Sequence, residues 1–192
     1  MKKIVLFTVL CCIGLFVRAQ DEESEDNGKG LKKENVFAGG YLGLTFGDYT
    51  LINVSPQVGY RFSKWFAAGV GLNGQYINYK DRYSNGDLYR KVEQGVVGLN
   101  FFGRFFPVNQ VFLQVQPEAN YLFGNETYYQ PSKEEYKLDA VIAPSFLVGG
   151  GVMLSPSGKS GVVISLMYDI LQDKNSPYGN KPIYNIGFNF GL

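Results

Sequence analysis

The sequence contains no histidine, and its two cysteines, Cys11 and Cys12, stand side by side near the start. Without imidazole there is no Ser-His-Asp triad, no His-based general acid or base and no His-ligated metal. Charged residues are also scarce, at 18% against about 25% in an average chain. The 18 basic and 17 acidic side chains nearly cancel, which excludes the strongly basic footprint of a nucleic-acid binder. What the chain has instead is glycine, 24 residues, and aromatics, 16% of the total. At 192 residues it fits one domain.

Met1-Lys2-Lys3 is a positive start, Ile4 to Val17 is apolar apart from Thr8 and Gly14, and Val17-Arg18-Ala19 ends in small residues. This is the pattern of a secretory signal peptide, residues 1–19, cleaved after Ala19. A membrane anchor is the competing reading, but the apolar run is shorter than the about 20 residues that a helical span needs. A lipoprotein signal would place Leu10 or Cys11 before the acylated cysteine, where a small residue is wanted. Cleavage removes both cysteines, so no disulfide framework is expected despite export. Residues 20–35 hold one large apolar residue, Leu31, among acids, lysines and glycines. They read as a flexible acidic periplasmic leader.

From Val36 onward the signal is period-2 alternation, which indicates strands. Val111, Leu113, Val115, Pro117, Ala119, Tyr121 and Phe123 make one face of a run whose other face carries Gln114, Gln116, Glu118 and Asn120. Eight runs are expected: 36–46, 51–62, 65–78, 89–106, 111–123, 139–154, 161–171 and 182–192. The first and sixth alternate least clearly, the sixth because of Pro144 and Gly149-Gly150-Gly151. Connections alternate between tight turns (63–64, 107–110, 155–160) and longer polar loops (81–88, 124–138, 172–181), with the short 47–50 falling in the loop series. Short turns on one side and longer loops on the other mark an outer-membrane barrel, with turns and both termini on the periplasmic side.

The two faces point the same way. The polar face is rich in Gly, Ser, Asn and Gln and poor in Lys and Glu, which suits a narrow lumen better than a solvated surface. Aromatics gather at the strand ends. Phe62, Trp65, Phe105 and Phe112 lie near the turns or the turn side, and Tyr76, Tyr121, Tyr168 and Tyr184 toward the loops. These are the expected interfacial girdles. The runs exceed the roughly 5–6 residues of an ordinary strand and are long enough for a tilted transmembrane strand. The expected fold is thus all-β, an eight-stranded antiparallel up-and-down transmembrane β-barrel over residues 36–192. A soluble lipocalin-like carrier with an apolar pocket is the alternative.

The last residues, Asn185-Ile186-Gly187-Phe188-Asn189-Phe190-Gly191-Leu192, resemble the terminal targeting strand of outer-membrane barrels. Asn185, Gly187, Phe190 and Leu192 fill its polar, glycine, hydrophobic and terminal places, with Leu192 where Phe is usual. With the signal peptide and the alternating runs, residues 36–192 resemble the small eight-stranded outer-membrane proteins of the OmpA/OmpX type. The resemblance implies a Gram-negative outer-membrane location, with outer-membrane lipids around the barrel. It implies periplasmic chaperones and the barrel-assembly machinery as partners during biogenesis. The lipid A palmitoyltransferase and deacylase barrels are similar in class, but their catalysis depends on a histidine that this chain lacks.

No catalysis, cofactor, metal or nucleic-acid partner is therefore expected. Arg61, Arg104, Glu118 and Asp169 fall on lumen-facing positions, and unpaired charges there would be costly, so Arg–carboxylate ion pairs are expected. The strand glycines Gly69, Gly71, Gly98, Gly103 and Gly149-Gly150-Gly151 are not followed by a helix or a Lys-Ser/Thr pair, so they do not form phosphate loops. Loops 81–88 and 125–137 are Tyr-rich and of mixed charge, a composition suited to adaptable contact with an extracellular partner. The function expected is a structural or surface-interaction role, with a narrow porin-like channel as the alternative.

Overall fold

The computed structural model describes residues 32–130, 132–154, 160–178 and 181–192. The expected signal peptide, most of the expected acidic leader and nearly all of the expected turn at 155–160 lie outside these residues.

Eight strands close into one antiparallel barrel in sequence order. They are β1 (Val36–Thr45), β2 (Tyr49–Arg61), β3 (Phe66–Arg82), β4 (Leu88–Val108), β5 (Val111–Tyr128), β6 (Glu134–Leu154), β7 (Gly161–Asp169) and β8 (Ile183–Gly191). Closure pairs β1 with β8, Phe37 opposite Gly191 and Leu42 opposite Ile186, so neither strand remains an edge there. The seam is tied at its end by the Leu192 N–H donating to the Val36 carbonyl at 3.0 Å.

Local chemistry fixes the turns. Between β2 and β3 the Ser63 hydroxyl accepts the N–H groups of Trp65 (3.2 Å) and Phe66 (3.1 Å). Between β3 and β4 the Asn85 side chain accepts the Asp87 N–H at 3.0 Å, and Gly86 takes φ +91°, a conformation that favours glycine. Asn109 and Gln110 alone connect β4 to β5.

Two boundaries differ from the sequence expectation. Strands β3, β5 and β6 run well past the expected loop-side ends, β3 to Arg82, β5 to Tyr128 and β6 from Glu134, so most of 125–137 is strand while 83–87 remain a turn. Polar and charged residues carry these extensions because they are held by cross-strand pairing above the level where β2, β7 and β8 end. Tyr49 of β2 pairs with Tyr79, and β7 reaches only Leu147 of β6. The four strands therefore stand proud of the rest as a sheet. The second difference lies in the leader, whose last residues are ordered. Lys33–Asn35 form one 3-10 turn, and the Tyr60 hydroxyl accepts the Lys32 N–H and the Asn35 side-chain amide, both at 3.3 Å.

Alternation in sequence becomes inside and outside in space. On β4, Val96, Asn100, Phe102, Arg104 and Phe106 are buried within the barrel, while Val97, Leu99, Phe101 and Phe105 project outward. The outward face is apolar and open, with Leu99 62%, Phe101 65% and Ile142 68% exposed. The weak alternation of β6 has a steric origin. A Cβ at Gly149 would lie 2.0 Å from the Leu166 carbonyl oxygen, so the close approach of β7 requires a residue without a side chain.

Candidate functional site: the filled interior

Inside the barrel, side chains stack in layers along the axis. On the turn side Phe37, Tyr41, Phe102, Phe106, Phe112 and Met153 belong to one apolar cluster. Toward the other end Val96, Leu122 and Ala143 form a smaller one. Between and around them lie the buried polar groups, half of them amides.

The polar layer is organised along β5. Because successive inward residues are two apart, Gln114, Gln116, Glu118 and Asn120 form a vertical row within reach of one another. The Arg104 Nε donates to Gln114 Oε1 at 2.7 Å. The Gln114 amide donates to Gln116 Oε1, and the Gln116 amide to Glu118 Oε1 at 2.6 Å. The cation and the carboxylate are thus connected by two glutamines whose amides point the same way, each oxygen toward Arg104 and each nitrogen toward Glu118. Such alignment strengthens each bond in a low-dielectric interior. Glu118 also accepts from the Asn120 amide (3.0 Å) and the Tyr178 hydroxyl (2.7 Å). Asn120 Oδ1 accepts from Asn73 at 3.1 Å, and Asn73 Oδ1 accepts from Asn100 at 2.7 Å.

Arg104 is held on every side. Its Nη2 donates to the Tyr41 hydroxyl at 3.0 Å and to Gln57 Oε1 at 2.9 Å. Its guanidinium carbon lies 4.7 Å from the Phe102 ring centroid and 5.1 Å from that of Phe112, an attraction of cation to ring face.

These facts correct the expected ion pairs. Among the described residues none of Arg61, Arg104, Glu118 and Asp169 takes part in a salt bridge. Arg104 reaches Glu118 only through the amide relay. Asp169 accepts the N–H groups of Phe146 (3.0 Å) and Leu171 (3.1 Å) and the Ser176 hydroxyl (2.7 Å), so it anchors the segment after β7 rather than an arginine. Arg61, at the end of β2, lies over the Phe106 ring at 4.6 Å. Each group has other partners: Glu118 the amides two residues away on β5, Arg104 the neutral side chains of Gln114, Tyr41 and Gln57, Asp169 backbone N–H groups and Ser176, and Arg61 an aromatic ring.

Phe112 also departs from expectation. It is fully buried in the interior, beside Phe106 at 5.9 Å, because alternation places it on the Gln114 side of β5. It is therefore not a girdle residue. Phe62, Trp65, Phe105, Tyr76, Tyr121 and Tyr184 are exposed on the outside, with Trp65 stacked on Phe105 at 6.4 Å. Tyr168 is half-buried, and its hydroxyl accepts from Gln172 at 2.7 Å. Of the terminal-strand residues, Phe190 and Leu192 are exposed on the outer face. Asn185 and Gly187 lie on the opposite, inward face, and a Cβ at Gly187 would meet the Gly40 carbonyl oxygen at 2.0 Å.

The sequence reading singled out the charges and missed the amides that carry them. The Gln-x-Gln-x-Glu-x-Asn row of 114–120 was the available signal. Tyr41, Gln57 and Tyr178 come from distant strands and a loop, and only closure brings them in. Glycine makes the room: a Cβ at Gly98 would lie 2.2 Å from Asn120 Oδ1 and 2.7 Å from the Ala119 carbonyl. Gly98→Ala is expected to destabilise the barrel by about 1–3 kcal/mol, measured as a lower midpoint in urea unfolding.

Four ion pairs among the described residues lie elsewhere, toward the projecting end of the sheet. Arg90 pairs with Glu126 and, at 3.1 Å, with Asp81, while Arg82 pairs with Asp48 at 2.9 Å and Lys91 with Glu93 at 2.9 Å. The hydrogen bond from Arg90 holds the Glu126 carboxyl below its ordinary range. Among the described residues no group of three or more His, Cys, Asp or Glu side chains is placed to hold a metal ion.

Fold and interior together define a closed eight-stranded antiparallel barrel, apolar outside and filled inside by aromatics and a polar relay. No family model and no curated protein matches the sequence. Among solved structures, the crystal structure of Neisserial surface protein A (NspA) is similar, with a TM-score of 0.40 and 12% identity over 82% of this chain and 94% of that one.

Proposed function

We propose that the chain is an integral outer-membrane barrel with a structural or surface-interaction role and no catalytic one. The observation that carries this reading is the outer face. Large apolar side chains such as Leu72, Leu99, Phe101, Ile142 and Ile186 stand exposed on strand after strand, while amides and charges are turned inward. A water-soluble barrel has the reverse arrangement, and so large an exposed apolar surface marks contact with lipid or protein. The eight strands pair in one closed ring, the arrangement by which a sheet meets the demand of a hydrocarbon environment for paired backbone groups. The exposed Phe62, Trp65 and Phe105 near the turns and Tyr76, Tyr121 and Tyr184 toward the other end suit the two membrane interfaces.

In this reading the signal peptide exports the chain, periplasmic chaperones and the barrel-assembly machinery insert it, and both termini stay periplasmic. The projecting sheet of β3 to β6 then stands outside the cell, with Tyr83, Tyr89, Tyr128 and Tyr136 near its tip. It is the surface a partner would meet first. The channel and carrier alternatives gain less support. Phe102, Arg104, Phe112 and the amide row occupy the cross-section, as expected for a barrel just wide enough for side chains to fill, and this polar filling offers no apolar ligand pocket.

Fractionation tests the reading. The protein is expected in the outer-membrane fraction, extracted only by detergent, and to migrate differently in gel electrophoresis before and after boiling. Recovery as a soluble periplasmic protein with heat-independent migration would overturn it.

A further inference from the structure

We infer that the turn-side mouth of the barrel is an oxyanion-binding site built on Arg61 and Arg104, taking a small phosphate- or carboxylate-bearing ligand. A cavity of about 170 Å³ opens there, lined by Phe37, Arg61, Arg104, Phe106 and Asn189, with Glu34 at its rim. A second, of about 240 Å³, shares Arg61 and Asn35 with it and adds Lys64 and Asn109. Three cations thus surround a connected space against one exposed carboxylate.

The two arginines differ in what they have left to give. Arg104 spends its Nε and Nη2 on Gln114, Tyr41 and Gln57 and contributes mainly charge. Arg61 makes no hydrogen bond and no ion pair among the described residues; its one contact is the Phe106 ring. Its N–H donors, five in a planar fork, are therefore available to a ligand. That fork matches the oxygens of phosphate or carboxylate bidentately. The aromatic stack fixes its position: Phe106 lies under Arg61 and touches Phe112, which in turn lies under Arg104. Arg61 and Arg104 line the same cavity, so an anion held there meets two like charges whose repulsion it offsets. The apolar ring walls lower the local dielectric and strengthen that attraction. A space of this size has room for an ion the size of phosphate together with several waters. The site belongs to the closed barrel itself and does not depend on the membrane reading.

Calorimetric titration of the purified chain in uncharged detergent, at constant ionic strength, tests this with inorganic phosphate and separately with acetate. Saturable heat is expected from the native protein. Arg61→Gln is expected to weaken binding by about tenfold or more, the worth of a charge-assisted contact. Arg61→Lys should restore part of it, and Glu34→Gln should tighten it. Arg61 stands outside the Arg104 relay, and unchanged circular dichroism would show that the variant folds. Repeating the titration in phosphatidylcholine and phosphatidylglycerol vesicles separates the sources, since a bound lipid headgroup would suppress phosphate binding only in the second. Absence of saturable binding in the native protein, or equal binding by Arg61→Gln, would overturn the assignment.

Discussion

Lysine in place of Val115 or Leu166 is expected to destabilise the bilayer-inserted barrel by about 2–4 kcal/mol, the cost of an ammonium at the midplane. Both residues lie on the outer face, 48% and 49% exposed, mid-strand on β5 and β7. Val115 pairs with Val148 and Gly103 and has no polar neighbour across the strands, whereas Leu166 pairs with Gly150 and Tyr184, whose hydroxyl lies toward the interface, so the Leu166 variant should fall at the lower end of this range. Lysine at Gln116 bears no such lipid penalty, because that side chain is buried inside next to Glu118. Depth provides a second comparison. Val111 is on the same face at the turn-side end of β5, where a lysine can reach the interface and should cost only about 0–1 kcal/mol. Urea unfolding in phosphatidylcholine vesicles measures all four variants. A flat profile from Val111 to Val115, or equal loss at Val115 and Gln116, would contradict both the face assignment and the lipid environment.

That face assignment was legible in the sequence because a strand has an exact period: every second residue of β5, from Val111 to Phe123, falls on one side whatever the rest of the chain does. The strand count and the antiparallel order follow from the same alternation and from turn chemistry such as Ser63 and Asn85-Gly86. Strand ends were less legible. Residues such as Lys80, Arg82 and Glu126 look like loop by composition, and pairing with neighbouring strands makes them sheet. The interior was only half legible. Alternation put Arg104 and Glu118 inside, yet it carries no information about which side chains meet across the lumen. The assumption that opposite charges would pair directly failed because Arg104, Glu118 and Asp169 each found neutral polar partners, some of them brought in from distant parts of the chain, and Arg61 packs on the Phe106 ring. Phe112 shows the same limit in reverse: its position near a turn suggested a girdle, and its parity along β5 put it inside.

Glu118→Leu is expected to cost about 3–5 kcal/mol, the usual penalty for breaking a buried charge arrangement by removing one partner. The change strands three donors, the Gln116 and Asn120 amides and the Tyr178 hydroxyl, and leaves the Arg104 charge with no carboxylate at the end of its relay. Arg104→Met should cost a similar amount by the converse route. If the two glutamines transmit the charge, the double variant loses less than the sum of the single ones, with a coupling of about 0.5–3 kcal/mol. Simple additivity would mean that the arginine and the carboxylate are solvated independently and that the aligned amides are only packing. Gln116→Leu separates these cases further. It keeps both charges and most of the volume but removes the link between them, so the Arg104–Glu118 coupling measured in that background should vanish. Unfolding midpoints and slopes in urea, with boiled and unboiled migration as a check that each variant still closes, give the required free energies. A barrel whose two interior charges are coupled over two intervening side chains has its register fixed along β5 as a unit: a shift of one residue would turn the row Gln114, Gln116, Glu118, Asn120 outward and leave Arg104 without any acceptor on that strand.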